Sequence, residues 1–254
     1  MTSVHEYYCP PALYDLLYSD FTADLPLWVA AAKAAPGPVL ELCCGNGRVL
    51  VPSRAAGADI EGLDLAPAML EDARRKLAAQ GLEAPLTAGD VRDFARPRRF
   101  ALITIPFNAF LHNLTQADQI ATLTRCRAHL EPGGRLMLHI FHPDLEKLLE
   151  HDGTPRFRKE NPTPDGGRLR VTDTGRLDPV AQRVTMARQV ERLDAAGCIT
   201  ETLDLSFEMR YVWKPEMELL LAAAGFGAIE VQGGFEAPRA PRAGDHLVWT
   251  AWAT

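Results

Sequence analysis

One short run constrains this chain more than any other. Glu41–Gly47, with the sequence ELCCGNG, directly follows the apolar residues Pro38-Val39-Leu40. An acidic residue with glycines four and six positions later, at the end of an apolar strand, suits close approach of a nucleotide-like ligand. Glycine lets the backbone turn sharply and leaves no side chain in the way. The run therefore predicts a strand followed by a ligand-binding turn.

The spacing of the glycines separates two kinds of nucleotide site. A dinucleotide site has the pattern G-x-G-x-x-G, whose third glycine allows close packing of helix on strand. Counting on from Gly45 and Gly47, that third position is Leu50. A pyrophosphate-binding loop is therefore disfavoured, and a nicotinamide oxidoreductase becomes an outlying alternative.

Charge and composition exclude several classes of partner. The chain has 254 residues and a net charge of −6, from 33 acidic and 27 basic residues, so we expect no nucleic-acid partner. The cluster of Arg96, Arg98 and Arg99 is interpreted as a solvated loop. We expect no signal peptide and no membrane span. Five cysteines without a C-x-x-C pair favour a reduced, cytoplasmic protein. We expect a monomer or a homodimer.

The first half of the chain alternates strand and helix patterns. Strands are predicted at Val39–Cys44, Asp59–Leu65, Ala84–Ala88, Phe100–Phe107 and Arg135–Phe141. Helices are predicted at Gly47–Ala56, at Ala68–Gln80, and from an N-cap at Thr115 to about Leu130. Repeated strand–helix units predict a parallel sheet with helices on both faces.

The pattern changes after His142. Proline, glycine and charge predict a loop from Asp152 to Gly167, and the alternation of polar and apolar residues from Arg168 to Val212 predicts two or three antiparallel strands. A helix at Pro215–Ala224 and strands at Gly227–Gln232 and His246–Ala253 are predicted to follow.

Acidic residues stand at two of the predicted strand ends, where open parallel sheets bind their ligands. Asp64 ends the second strand, and its two oxygens can accept from both hydroxyls of a ribose. Asp90 follows the third strand and can accept from the exocyclic amine of adenine, while the Val91 amide donates to a ring nitrogen. The alternative for Asp90 is a turn or capping role.

Three motifs, in order, carry a family resemblance. Glu41–Gly47, Gly62–Leu70 (GLDLAPAML) and Gly89–Phe94 (GDVRDF) resemble motifs I, II and III of class I S-adenosylmethionine-dependent methyltransferases, and Leu130–Arg135 (LEPGGR) fits before the fifth strand. The resemblance covers roughly residues 10–145. It implies an α/β, Rossmann-like three-layer sandwich with a seven-stranded sheet of order 3-2-1-4-5-7-6. Strand 7 is antiparallel, and an antiparallel β insert is added.

The resemblance also implies S-adenosyl-L-methionine as the cofactor. Glu41 would organise the loop, Asp64 would hold the ribose, and Cys43 stands where the family commonly has glycine. The expected cofactor-binding residues are Tyr18, Glu41, Cys43, Gly45, Asn46, Gly47, Asp64, Leu65, Met69, Asp90, Val91 and Asn108.

Methyl transfer needs an aligned nucleophile, and a general base only when the acceptor arrives protonated. His112, just past the fourth strand, can take a proton at neutral pH, with a structural loop histidine as the alternative. Tyr14 and Tyr18 lie four apart on one helical face, either as packed aromatics or as a lid. The expected catalytic residues are His112, Tyr18 and Tyr14. The expected acceptor contacts are Tyr8, Asn108, His112, His142, Arg210 and Tyr211.

No metal site is expected, because His139 and His142 point to opposite faces of their strand. The leading hypothesis is a single-domain methyltransferase (1–254) acting on nitrogen or oxygen of a small molecule. Residues 1–35 are expected to form a helical lid, and 152–212 an insert that forms part of the acceptor site. Two alternatives stay open: an enzyme that transfers or cyclises the aminocarboxypropyl arm of the same cofactor, and a non-catalytic binding module.

Overall fold

The computed structural model describes residues 4–5 and 9–253. Its strands are β1 (Val4–His5), β2 (Val39–Leu42), β3 (Ile60–Asp64), β4 (Leu86–Ala88), β5 (Phe100–Ile105), β6 (Leu130–Phe141), β7 (Asp152–Pro162), β8 (Arg168–Asp178), β9 (Arg183–Leu193), β10 (Ile199–Arg210), β11 (Ile229–Gly233) and β12 (His246–Trp252). Its helices are α1 (Pro11–Tyr18), α2 (Leu25–Lys33), α3 (Leu50–Ala55), α4 (Pro67–Ala79), α5 (Gln116–His129), α6 (Leu145–Leu149) and α7 (Lys214–Ala223), with a 3₁₀ turn at Ala109–His112.

The chain divides into two compact units. The Rossmann unit comprises residues 23–143 and 212–254, and the antiparallel unit comprises residues 144–211 with the described residues up to Thr22. In the described part of the chain no helix is long and apolar enough to cross a membrane.

The Rossmann unit is built on seven strands in the order β11-β12-β6-β5-β2-β3-β4. All neighbours pair in parallel except β12, which runs antiparallel to both β6 and β11. This is the predicted order 3-2-1-4-5-7-6 with strand 7 antiparallel, so the predicted fold is confirmed. Every residue of the central strand β5 is buried, as expected of a parallel strand covered on both faces.

The antiparallel unit holds a second sheet, in the order β1-β10-β9-β8-β7. The predicted loop from Asp152 to Gly167 is wrong, because β7 occupies most of it. The two or three antiparallel strands predicted from Arg168 to Val212 are confirmed, since β8, β9 and β10 lie there. β7 lies at the sheet edge, and its register shifts twice, between Asp152 and Pro155 and between Phe157 and Lys159. Edge position and bulges tolerate the proline and glycine that suggested a loop.

Among the predicted element boundaries that differ from the structure, two have the same cause. α3 begins at Leu50 instead of Gly47, and β5 ends at Ile105 instead of Phe107. Gly47 has a φ of 84°, and Phe107 has a φ of 57°. A left-handed backbone residue continues neither an α-helix nor a strand.

The arginine cluster at residues 96–99 lies on a loop, as predicted, but two of its three arginines form ion pairs there. Arg96 and Arg98 both bind the buried carboxylate of Glu61, and Arg98 also pairs with Asp59 at 3.1 Å. Arg99 donates to the Leu130 carbonyl oxygen at 3.0 Å. Arg96 and Arg98 thus link β3 to the segment before β5, and Arg99 links that segment to the start of β6.

Candidate active site

The loop of residues 43–47 connects β2 to α3 with three left-handed residues. The φ angles are 55° at Cys43, 53° at Gly45 and 84° at Gly47. The Gly45 amide donates to Asp64 Oδ2 at 2.7 Å, and the Cys44 amide donates to the Leu63 carbonyl oxygen at 3.1 Å. The loop is thereby held against the carboxyl end of β3. At Cys43 a side chain occupies a conformation that glycine adopts more easily, which explains why a glycine suits this position.

The two glycines of the loop are needed for different reasons. A Cβ added at Gly47 would lie 2.7 Å from Val51 Cγ2 and 3.4 Å from Ala73 Cβ. A Cβ added at Gly45 would meet no atom within 4 Å. Gly47 is therefore required by the packing of α3 and α4, whereas the backbone at Gly45 borders open space.

Alanine at these two positions is expected to act differently. Gly47→Ala should lower the free energy of unfolding by about 2–3 kcal/mol, because it combines backbone strain with overpacking. Gly45→Ala should cost only about 1 kcal/mol of strain, yet it should weaken cofactor binding by filling the open space. Chemical denaturation and calorimetry with S-adenosylhomocysteine measure the two effects. Equal stability losses with no loss of affinity in Gly45→Ala would contradict this assignment.

Glu41 is a buried carboxyl group at the end of β2. Glu41 is 2% exposed, and its Oε2 has no hydrogen-bond partner among the described residues. Burial, together with the charges of Asp24 and Asp64, raises the pKa of Glu41 to about 8, although the charge of Arg48 acts to lower it. Burying a carboxyl oxygen without a hydrogen-bond partner costs folding free energy, unless a ligand supplies the missing partner.

Arg48 and Asp24 form a clamp beneath this loop that the sequence analysis missed. The two terminal nitrogens of Arg48 each donate to a different oxygen of Asp24 at 2.7 Å, and Asp24 is completely buried. Trp28 Nε1 also donates to Asp24 at 3.1 Å, and the Arg48 guanidinium lies 4.8 Å from the centroid of the Phe107 ring. The position of Arg48, directly after the second glycine of the loop, was the sequence feature that could have pointed to this ion pair.

Asp64 is fixed by backbone donors. Besides Gly45, the Ala66 amide donates to its Oδ1 at 2.8 Å. Burial raises the pKa of Asp64, and the backbone hydrogen bonds from Ala66, Gly45 and Leu65 oppose that shift. Next to it Leu65 is 51% exposed although it is large and apolar, whereas Met69 is buried. A carboxylate beside an exposed leucine offers a polar and an apolar contact at one strand end.

Asp90 is engaged by an arginine. Both of its oxygens accept from the Arg92 guanidinium, at 2.5 to 3.1 Å, and the Arg92 amide donates to Oδ1 at 2.9 Å. Arg92 also reaches Asp118 at 3.1 Å. Hydrogen bonds from Arg92 hold the pKa of Asp90 below its ordinary value. Asp90 therefore has the turn role that the sequence left open as an alternative. Val91, the next residue, is half-buried.

Asn108 joins the ends of β5 and β6. Its Oδ1 accepts from the Phe141 amide at 2.7 Å, and its own amide donates to the His139 carbonyl oxygen at 3.0 Å. Its φ of 60° is left-handed. Asn46, another predicted cofactor-binding residue, also forms a hydrogen bond within the protein, since its Nδ2 donates to Asp72 at 3.2 Å. Both asparagines thus have a structural task besides the predicted one.

The histidines near these strand ends have different surroundings. The Phe107 amide donates to Nδ1 of the fully buried His139, whose Nε2 lies 2.9 Å from His246 Nδ1. This places the His139 proton on Nε2, and burial lowers its pKa well below the ordinary value. His142 is half-buried, with its ring edge-on to Trp213. His112 is half-buried and ends the 3₁₀ turn after β5.

The remaining predicted residues belong to the antiparallel unit. Tyr14 and Tyr18 share one face of α1, with ring centroids 4.7 Å apart, and the Tyr18 hydroxyl oxygen accepts from Arg188 at 2.7 Å. Arg210 and Tyr211 are buried; Arg210 donates to Gln182 Oε1 at 2.8 Å, and the Tyr211 amide donates to the Gln182 carbonyl oxygen. Tyr8 lies outside the described residues.

The strand-end residues of the Rossmann unit fit S-adenosylmethionine. An unpartnered, buried oxygen of Glu41 suits a cationic group, Asp64 suits a diol, and the backbone at Gly45 leaves room for a ligand. Exposed Leu65 suits the face of an aromatic base. The site therefore has the chemistry that the cofactor's amino acid, ribose and adenine parts require.

Comparison with known proteins agrees with this geometry. Residues 39–134 match the methyltransferase domain family. The chain is 35% identical over 129 residues to dTDP-3-amino-3,6-dideoxy-alpha-D-glucopyranose N,N-dimethyltransferase of Streptomyces fradiae, over 48% of this chain and 49% of that protein. The chain thus spans about half the length of this curated relative.

Two solved structures share the fold over nearly their whole length. The CcbJ methyltransferase of Streptomyces caelestis is 25% identical, with a TM-score of 0.75 over 94% of this chain and 96% of that one. CalS10, an amino pentose methyltransferase of Micromonospora echinaspora solved with S-adenosylmethionine bound, is 24% identical, with a TM-score of 0.75 over 95% and 97%.

The sheet order and the strand-end residues together define the class I methyltransferase fold. The matched domain covers β2 to the start of β6, which includes Glu41, the glycine loop and Asp64. The fold is therefore that of S-adenosylmethionine-dependent methyltransferases, and residues 39–134 are similar to their methyltransferase domain.

Proposed function

We propose that this protein transfers a methyl group from S-adenosylmethionine to nitrogen or oxygen of a small-molecule acceptor, and that an amino group on a sugar is the leading acceptor. The observation that carries the donor assignment is the unpartnered Glu41 oxygen beside the open backbone of Gly45. The amino-sugar acceptor is supported by the Streptomyces fradiae relative, whose name describes N,N-dimethylation of an amino sugar nucleotide.

The roles of the chain's own residues follow from their chemistry. Glu41 would hold the cofactor's ammonium group, and Asp64 would accept from the ribose hydroxyls while it keeps Gly45 in place. The bound cofactor supplies an electrophilic methyl group on a sulfonium. Approach of a correctly oriented nucleophile to that methyl group would provide much of the rate. The predicted roles of Tyr14, Tyr18, His142, Arg210 and Tyr211 stay predictions.

The direct test is product analysis with the full chain. Purified protein is incubated with S-adenosylmethionine and a panel of dTDP-amino sugars, hydroxylated sugars and phenols. We expect S-adenosylhomocysteine and a methylated amino sugar. Methylthioadenosine as the product would favour the aminocarboxypropyl alternative instead. Tight cofactor binding without turnover across the panel would favour a binding module.

His112 is proposed as the base for an acceptor that arrives protonated. His112→Gln should then lower kcat/KM about 100-fold near pH 7, with a smaller loss at higher pH, where solvent already deprotonates the amine. Affinity for S-adenosylhomocysteine should be unchanged. The matched control is His129→Gln, because His129 accepts from the Arg96 amide at the end of α5. A loss of rate that is the same at every pH would contradict the role of a base.

The proposal also includes the location, the oligomeric state and the partners of the protein. We place the protein in the cytoplasm, as a monomer or homodimer without a nucleic-acid or membrane partner, on the grounds of its acidic balance and its thiols. Residues 1–35 as a lid and residues 152–212 as part of the acceptor site remain predictions.

A further inference from the structure

Glu41 differs from the other deeply buried glutamate of the sheet. Glu61, one strand away on β3, is 5% exposed and receives the guanidinium groups of Arg96 and Arg98. Glu41 is 2% exposed, and its Oε2 has no partner among the described residues. Two carboxyl groups at similar depth thus stand in opposite electrostatic surroundings.

The charges around Glu41 offer little compensation. The cation that acts on it is Arg48, whose two terminal nitrogens are both bonded to Asp24. The other groups that act on it are the carboxylates of Asp24 and Asp64, and the neighbouring Cys43 and Cys44 thiols are uncharged at neutral pH. A negative charge on Glu41 would therefore face two anions and one cation that is already paired. The neutral carboxyl is the stable form when no ligand cation is present.

We propose that Glu41 is protonated in the cofactor-free protein and ionises when the cofactor binds, so that binding releases one proton. This inference rests on the proposed function, because it takes the ligand cation to be the cofactor's ammonium group. The O–H bond of the Glu41 carboxyl breaks, its proton passes to the buffer, and the carboxylate pairs with the incoming ammonium. The direction of the burial-driven pKa shift agrees with this geometry.

Proton release makes cofactor affinity depend on pH in a defined direction. Below about pH 8, where the free protein holds the proton, affinity should rise about tenfold for each pH unit. The amino group of the ligand loses its proton at higher pH, which acts in the opposite direction. Measurements near pH 6.5 therefore isolate the contribution of Glu41.

The test is isothermal calorimetry with S-adenosylhomocysteine and the full chain near pH 6.5. Titrations in phosphate and in imidazole give the number of protons released from the dependence of the binding heat on buffer ionisation. We expect close to one proton for the native chain and for Glu61→Gln, and none for Glu41→Gln. Binding of the native chain without proton release would overturn the inference while leaving the proposed function intact. Absence of binding would instead overturn the proposed function.

A second readout covers the case in which Glu41→Gln fails to fold or to bind. Infrared difference spectra of the native chain should show a protonated carboxyl band that disappears when S-adenosylhomocysteine is added. The same band should persist through addition of adenosine, which lacks the ammonium group. A spectrum without any carboxyl band that responds to the ligand would contradict the proposal.

Discussion

Replacing Glu41 by glutamine is expected to stabilise the cofactor-free protein and at the same time to weaken cofactor binding. The raised pKa of Glu41 means that its contribution to stability is fully present below about pH 4.5 and is lost as the pH rises through about 8. Glutamine removes this loss. The free energy of unfolding should therefore exceed that of the native chain by about 4 kcal/mol at pH 8, with little difference at pH 4.5.

The loss of affinity has the opposite sign because the amide carries no charge. A hydrogen bond to a charged group contributes about 1.5–3 kcal/mol, so Kd for S-adenosylhomocysteine should rise by about 10- to 100-fold near pH 8. Urea denaturation and calorimetry measure the two quantities. Glu61→Gln is the matched control and should destabilise the protein at every pH, because it leaves Arg96 and Arg98 without their carboxylate. Equal effects of the two substitutions would contradict the contrast drawn between them.

Asp64→Asn is expected to have the largest effect on the cofactor alone. The asparagine keeps the size of the side chain and one acceptor oxygen, so the fold should survive with a loss of about 1 kcal/mol. The substitution removes the negative charge and one of the two oxygens that would accept hydrogen bonds from the ribose hydroxyls. It also weakens the hydrogen bond from the Gly45 amide. Affinity for S-adenosylhomocysteine should fall about 100-fold.

The control for Asp64→Asn is an aspartate at the opposite end of the same strand, β3. Asp59 precedes β3 and pairs with Arg98 in an exposed position, so Asp59→Asn should leave cofactor affinity within about twofold. Calorimetry on both variants distinguishes a site residue from a surface acid. Binding by Asp64→Asn at native affinity would remove the ribose role from Asp64.

The strand order of the Rossmann unit was implied by the family resemblance, which could be found in the sequence because the motifs that carry it are local. Each strand is an apolar run followed by a turn, and the motifs at Glu41–Gly47 and Gly62–Leu70 lie within single strand–turn–helix units. The N-cap at Thr115 is confirmed for the same reason, since its hydroxyl accepts from the Asp118 amide three residues later.

The features that the sequence did not predict depend on residues far apart in the chain. Asp24 and Arg48 meet across 24 residues, and His139 and His246 meet across 107. The irregular strand β7 was predicted as a loop, because its bulges remove the alternation that marks a regular strand. The roles assigned to His112 and Asn108 stay predictions, and the structure adds that Asn108 also joins β5 to β6.

The two adjacent thiols of the cofactor loop have a consequence for redox chemistry. Burial raises the pKa of both Cys43 and Cys44 well above the ordinary range. Since the thiolate is the reactive form, oxidants and alkylating reagents attack such thiols slowly. Cys198, exposed on the turn between β9 and β10, is reached first. A dye directed at Cys198 is therefore expected to leave the 43–47 loop unmodified, which gives the protein a point for labelling away from its cofactor loop.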